Sequence, residues 1–203
     1  MLYGNHKIGK WGIMTATKGA RTRQQLIAAA ASEIALHGRE AKMVDVAARV
    51  GLTQPAVYRH FKTRDEVHTA VVQEFREKLR HLIANALIPP SAKVDDLQSL
   101  TALAVTNLMQ FLEANRDAMT VAMLQEPEGE QTRQELISMI ATNVQAEIAA
   151  GHFRADITPK FFATCLVGIV TQFIRHPGSQ RALKQTAQTI AVVLLSGIQS
   201  EKN

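Results

Sequence analysis

Between Val44 and Phe61 the chain reads VDVAARVGLTQPAVYRHF, and its polar side chains are of the types that bind nucleic acid. Gln54 can make a paired hydrogen bond to adenine, and the methyl of Ala56 can meet the methyl of thymine. Thr53, just before them, offers a hydroxyl that donates and accepts. Arg59, one helical turn on, suits guanine or a phosphate, with phosphate favoured. Lys62 and Arg64 stand beside the free N–H groups of the next helix start, which makes them candidate phosphate clamps. Arg23 and Lys42 would add similar contacts from other helix starts.

Those side chains act together only if a short helix presents them, and three spacings predict one. Ala47 is small where two helices would cross closely. Gly51, four residues on, can take the positive φ of a tight turn. Val57, ten residues after Ala47, packs the second helix back on the first. Val46, Val50, Leu52 and Phe61 complete a small core. The pattern is a helix-turn-helix, with a plain helical hairpin in a larger bundle as the alternative. Charge separates the two readings: residues 1–65 carry 11 Lys and Arg against 4 Asp and Glu, and the remainder 12 against 14. A basic head on a slightly acidic body fits a polyanion-binding unit joined to one that does not bind polyanions.

The same stretch resembles the tetracycline-repressor (TetR) family of bacterial transcription regulators. The resemblance rests on Thr22-Arg23, Gly38, the run Val46 to Thr53, and above all Ala56-Val57-Tyr58-Arg59-His60-Phe61-Lys62-Thr63-Arg64-Asp65-Glu66. It covers roughly residues 21–67, with a fainter likeness at Gly151 to Asp156. It implies that Tyr58 and His60 contact the DNA backbone, although Tyr58 can equally be a core aromatic with its hydroxyl at the rim. Three positions depart from the family pattern. The loop after Gly38 is one residue short, Lys42 replaces a capping Thr, and Pro55 replaces a common Gly. Pro55 alters the base-facing rim, so the preferred DNA sequence cannot be borrowed from relatives.

The elements around this motif are all helical. Residues 1–20, with four glycines and three lysines, read as a flexible basic arm, and Met14 can itself serve as a start. A helix is predicted from Arg21 to Gly38, a second over Met43–Val50 and a third after Thr53. Thr63 and Glu66 form a capping box that opens a long helix to about Leu87, stopped by Pro89-Pro90. Val94–Ala114 is apolar nearly all round and predicts a buried central helix. Shorter patterns follow over Asp117–Leu124, Thr132–Ala150, Thr158–Arg175 and Ser179–Gln199. No segment alternates as a strand would. The expectation is an all-α chain of about nine helices, with the DNA-binding domain at 21–66 and an effector-binding and dimerisation domain at 67–203.

Two further sets of residues lie in that second part. Phe162, Leu166, Ile169, Val170 and Phe173 form one apolar stripe, and Leu183, Ile190, Val193, Leu194 and Gly197 another. They predict a four-helix dimer interface, against the alternative of an internal core, and Gly168 and Gly197 would permit close helix approach. Met109, Phe111, Met123 and Met139 suggest flexible walls for an apolar ligand, although such sets are often plain core. Asn107, Gln110, Asn143 and Gln172 are the candidate polar anchors.

Other functions find little support. A lone Cys165 excludes an internal disulfide and a Cys-based zinc site, and fits a reducing cytoplasm. No apolar run spans a bilayer and residues 1–14 lack a signal-peptide core. There is no HExxH, phosphate-cradling glycine loop or Glu-x-x-His pair, and His60 has no ligand-spaced partner, so neither an enzyme nor a metal or cofactor site is expected. The reading is a cytoplasmic, sequence-specific, homodimeric DNA-binding regulator. It would act as a repressor on palindromic operator DNA and be released by a small apolar effector. A ligand-independent or architectural DNA binder is the alternative.

Overall fold

The computed structural model describes residues 17–89, 92–93, 96–175 and 180–196, and no strand occurs among them. Helix α1 spans Lys18–His37, α2 Met43–Arg49, α3 Gln54–Tyr58 and α4 Arg64–Ala84. Then come α5 Leu97–Ala114, α6 Arg116–Met119, α7 Glu128–Ala149, α8 Pro159–Arg175 and α9 Gln180–Ser196. A π-helical turn, Thr120–Leu124, continues α6.

Several boundaries differ from the sequence expectation for identifiable reasons. Helix α1 begins at Lys18 because the Thr17 hydroxyl accepts the Ala20 N–H at 3.2 Å. Lys18 to Ala20 therefore belong to a helix and not to a basic arm, while residues 1–16 lie outside the described part. Helix α4 stops at Ala84, where Asn85 turns its amide back to the His81 carbonyl, leaving 85–89 as a non-helical strap. Helix α7 starts four residues before Thr132. There Arg133 donates to the Met123 carbonyl and to Glu126 and Glu130, closing the end of the π turn against the new helix. Gly129 belongs to the same corner: an added Cβ would sit 2.8 Å from the Met123 carbonyl oxygen.

Helices α1, α2 and α3 pack with the start of α4 around Leu26, Val46, Val57, Phe61 and Val67, all essentially inaccessible. In the larger part α5 lies along α9, and α7 packs on α8 and on α4. Helix α5 is less enclosed than its composition suggests, since Leu103 is 55% exposed and Asn107 and Gln110 face outward. Helix α4 runs through both regions. Arg76 on it donates to Thr132 at 2.8 Å and to the Glu128 carbonyl at 3.2 Å, and lies 3.3 Å from Glu135. On the other side, Ser32 of α1 donates to Asp117 at 2.5 Å, and the Gln125 amide donates to the Ile34 carbonyl at 3.2 Å.

Candidate nucleic-acid interface

The turn between α2 and α3 has the backbone that the sequence pattern requires. Gly51 sits at φ +66° with nothing near the position of a Cβ, so glycine is needed there for its conformation and not for space. The Leu52 N–H returns to the Ala47 carbonyl at 2.9 Å, locking the turn against α2. Ala47 and Val57 are buried at the crossing.

That crossing leaves one rim of α3 open. Thr53 holds the N-cap position but its hydroxyl makes no capping hydrogen bond, so it faces solvent with Gln54 and Pro55. Ala56 is the exception among the expected base-facing residues. It is only 6% exposed, next to the fully buried Val57, whereas Thr53 and Gln54 are exposed. The five-residue length of α3 explains this: one turn has room for a single outward edge, and residues 56 and 57 are adjacent on the inner one. One turn further, Tyr58 is 43% exposed and Arg59 is exposed, while His60 is half-buried.

The flanking cations divide into two groups. Lys42 and Lys62 are exposed, and with Arg59 they have no ion-pair partner among the described residues. Lys42 occupies the N-cap position of α2 without a side-chain cap, as expected where a lysine replaces threonine. Arg23 is exposed in the second turn of α1, and its guanidinium lies 4.8 Å from the Phe61 ring centroid, a cation–π contact that holds it near α3. Arg64 is half-buried and its guanidinium reaches the Gly38 carbonyl at 3.4 Å, so it ties the end of α1 to α4. Arg49 is engaged by the buried Glu33. At the α4 start the Thr63 hydroxyl accepts the Glu66 N–H at 3.0 Å, and the Glu66 carboxylate accepts the Lys62 N–H at 2.6 Å, one residue earlier than a standard capping box.

The expected ligand residues lie apart from the apolar cavity of the body. Met109 and Met123 are core residues, and neither they nor Phe111 and Met139 line the partly open cavity among the body helices. That cavity, about 90 Å³, lies between the end of α4 and α5, α7, α8 and α9, with Leu108, Val144, Phe153, Phe162 and Leu166 among its walls. Of the expected polar anchors only Asn143 reaches it. The sequence reading missed Thr101 and Glu147, because one Thr and one Glu on long helices carry no spacing signal.

The dimer stripes are also split. Phe162, Leu166, Val170 and Ile190 turn into the chain's own core, since a stripe read at 3–4 spacing is wide enough to include the internal face. The open face of α8 and α9 carries Phe161 at 68% and Val193 at 64% exposure, with Phe173 and Val192 also exposed and Ile169 and Leu194 half-buried. Gly197 lies outside the described residues. Cys165 is a half-buried free thiol.

Among the described residues no helix is long and apolar enough to cross a membrane, and no three His, Cys, Asp or Glu side chains cluster as a metal site. Comparison with known proteins places the motif. Residues 26–71 match the family model of bacterial regulatory proteins, tetR family. An uncharacterised HTH-type transcriptional regulator of Bacillus subtilis is 28% identical over 155 residues, 76% of this chain and 80% of the relative. In fold the chain is similar to SmeT, the repressor of the Stenotrophomonas maltophilia multidrug efflux pump SmeDEF. The TM-score is 0.68 at 20% identity, covering 92% of both chains. A second structure of SmeT, in complex with triclosan, matches at TM-score 0.68 and 18% identity over 89% of this chain and 93% of that one. With its helix-turn-helix, open α3 rim and flanking cations, the stretch 26–71 is that of the tetR family of bacterial regulatory proteins, and the chain as a whole is similar to an HTH-type transcriptional regulator and shares its fold with a TetR-type repressor.

Proposed function

We propose that the protein is a homodimeric, cytoplasmic repressor that binds a palindromic operator and is released by a small apolar effector. The observation that carries this is the open rim of α3. Thr53, Gln54, Tyr58 and Arg59 are exposed on one edge, with Lys42, Lys62 and Arg23 around it. Thr53 and Gln54 would read base edges, while Tyr58, Arg59, His60, Lys42, Lys62 and Arg23 would hold phosphates. Arg64 would contribute less, because its guanidinium is turned to Gly38. In this reading residues 18–66 form the DNA-binding head and the rest the effector and dimer body.

Paired half-sites require a two-fold partner that holds the heads about 34 Å apart. The exposed Phe161, Phe173, Val192 and Val193 supply an apolar face of the kind that a second copy covers. The cavity beneath α4 supports effector binding, and a protein of similar fold binds triclosan. Release follows if the ligand binds the wrong head spacing more tightly than the right one.

Selection of random duplex DNA by the purified protein tests the reading. An enriched palindrome is expected, lost in Gln54→Ala and bound by a dimer that Val193→Asp dissociates. A reporter behind that palindrome should be silenced by the protein. Retention without enrichment would point to an architectural DNA binder, and no retention at moderate salt would overturn sequence-specific binding by the free protein.

A further inference from the structure

We infer that the cavity beneath α4 admits a long, uncharged apolar molecule with one hydrogen-bonding group, which pairs with the Thr101 hydroxyl, and that the Glu147 carboxylate turns anions away. This rests on the reading that the body binds an effector, and adds which chemistry is accepted and which refused.

Thr101 Oγ1 is buried on the cavity wall without a hydrogen-bond partner. Three other threonines on these helices avoid that state: Thr106 donates to the Ala102 carbonyl at 2.6 Å, and Thr164 and Thr189 do likewise one turn back. Thr171 is also unpartnered but does not line the cavity. A buried hydroxyl without a partner is costly, so a ligand group that reaches it removes a penalty as well as adding a bond.

The other polar groups on the wall are committed. The Asn143 amide donates to the Ile83 carbonyl at 2.9 Å. Glu147 Oε1 accepts the Ile88 N–H at 2.9 Å, and Oε2 lies 2.6 Å from His152 Nδ1. Glu147 is the one ionisable residue lining the cavity, while His152 stands behind it and outside the lining. A ligand carboxylate would place a second negative charge against an apolar wall whose lining includes no cationic side chain.

Shape narrows the class further. A cavity of about 90 Å³ is smaller than one that holds benzene, ~150 Å³. A second space of about 190 Å³ lies across Ile83, Ala86, Ile88 and Ala104, which wall both. Leu87 and Leu103 are exposed beside that second space. The strap 85–89 forms part of the dividing wall, and its Ile88 amide is held by Glu147. A slender alkyl chain with its polar end at Thr101 would pass outward under that strap.

Thermal unfolding of the full-length protein at neutral pH, with decanol below its solubility limit and with decanoate below its micelle concentration, tests this. Decanol is expected to raise the midpoint with concentration and decanoate to leave it unchanged. Thr101→Val should weaken the decanol response about threefold to tenfold, the range of one neutral hydrogen bond. Its midpoint without ligand should not fall, because a near-isosteric valine removes the unpartnered hydroxyl. Glu147→Gln keeps an oxygen for the Ile88 N–H and should gain a response to decanoate. If Glu147→Gln fails to fold, the parent protein with decanoate and Thr101→Val with decanol still decide the matter. Equal stabilisation of the parent by decanoate, or an unaltered decanol response in Thr101→Val, would overturn this inference and leave the effector reading standing. No response of the parent to either compound would likewise overturn this inference, without touching the effector reading or DNA binding.

Discussion

The head and the body bury apolar side chains to opposite ends. Around α1 to α3 the interior is filled by Leu26, Val46, Val57 and Phe61, and the polar side chains of α3 face outward. Below α4 the body leaves a space of about 90 Å³ and places a hydroxyl without a partner and a buried carboxylate on its wall. A surface that reads DNA needs one shape, which close packing supplies. A site for a mobile apolar molecule needs room and a group left unpaired, and it carries that cost without a ligand.

Four outcomes would break or sharpen this contrast. The largest is expected at Phe61, which packs in the head core and supports Arg23 on its ring. Phe61→Ala should cost about 3–5 kcal/mol and abolish DNA binding. Chemical denaturation followed by a band-shift assay would show both. Next comes a matched pair of enlargements. Ala47→Leu inserts volume where α2 crosses α3 with no space, and should cost about 1–3 kcal/mol. Ala104→Leu points at the cavity wall and should cost less than about 1 kcal/mol while blocking ligand binding. If Ala47→Leu were the better tolerated, the contrast between a filled head and a hollow body would fail.

A smaller effect is expected at the α4 cap. Thr63→Ala removes the acceptor of the Glu66 N–H and should cost about 1 kcal/mol, read as a lowered denaturation midpoint. The smallest concerns acid. The Arg133 side chain, then the Glu130 N–H, hold the Glu126 carboxyl below its usual range, and Gln134 followed by Arg133 do the same for Glu130. Because both folded values are depressed, their stabilisation is present above the ordinary carboxylate range and is lost as pH falls through the folded values. Both carboxylates are fully exposed, so the change should be slight. Arg133→Ala should flatten that part of a stability-against-pH curve, and an unaltered curve would remove the cluster from consideration.

The legible part of the molecule was the part governed by local rules. Gly51 announced a positive φ, Thr63 and Glu66 announced a helix start, and the joint spacing of Ala47, Gly51 and Val57 announced the turn, because each depends on residues a few positions apart. The same locality explains why the resemblance read over residues 21–67 and the family-model match over 26–71 fall on the same stretch. Ala56 shows the limit: its type suits a thymine methyl, but its burial to 6% exposure is settled only by the packing around α3.

In the body, tertiary packing decided most of what matters. Periodicity correctly marked an apolar stripe on α8 and on α9, but each stripe is wide enough to have a buried and an exposed edge. Which one meets α5 and α7 and which stays open is set by the arrangement of the other helices. Met109 and Met123 have the chemistry of pocket walls and lie in a closed core, whereas Thr101 and Glu147 have no distinguishing neighbours and meet at the cavity. Amino-acid order by itself determined an all-helical chain with a basic helix-turn-helix head, since helix periods, caps and charge are written along the chain. Where the body keeps its empty space was left to tertiary structure, because a cavity is defined by five helices brought together from distant parts of the sequence and by no one of them alone.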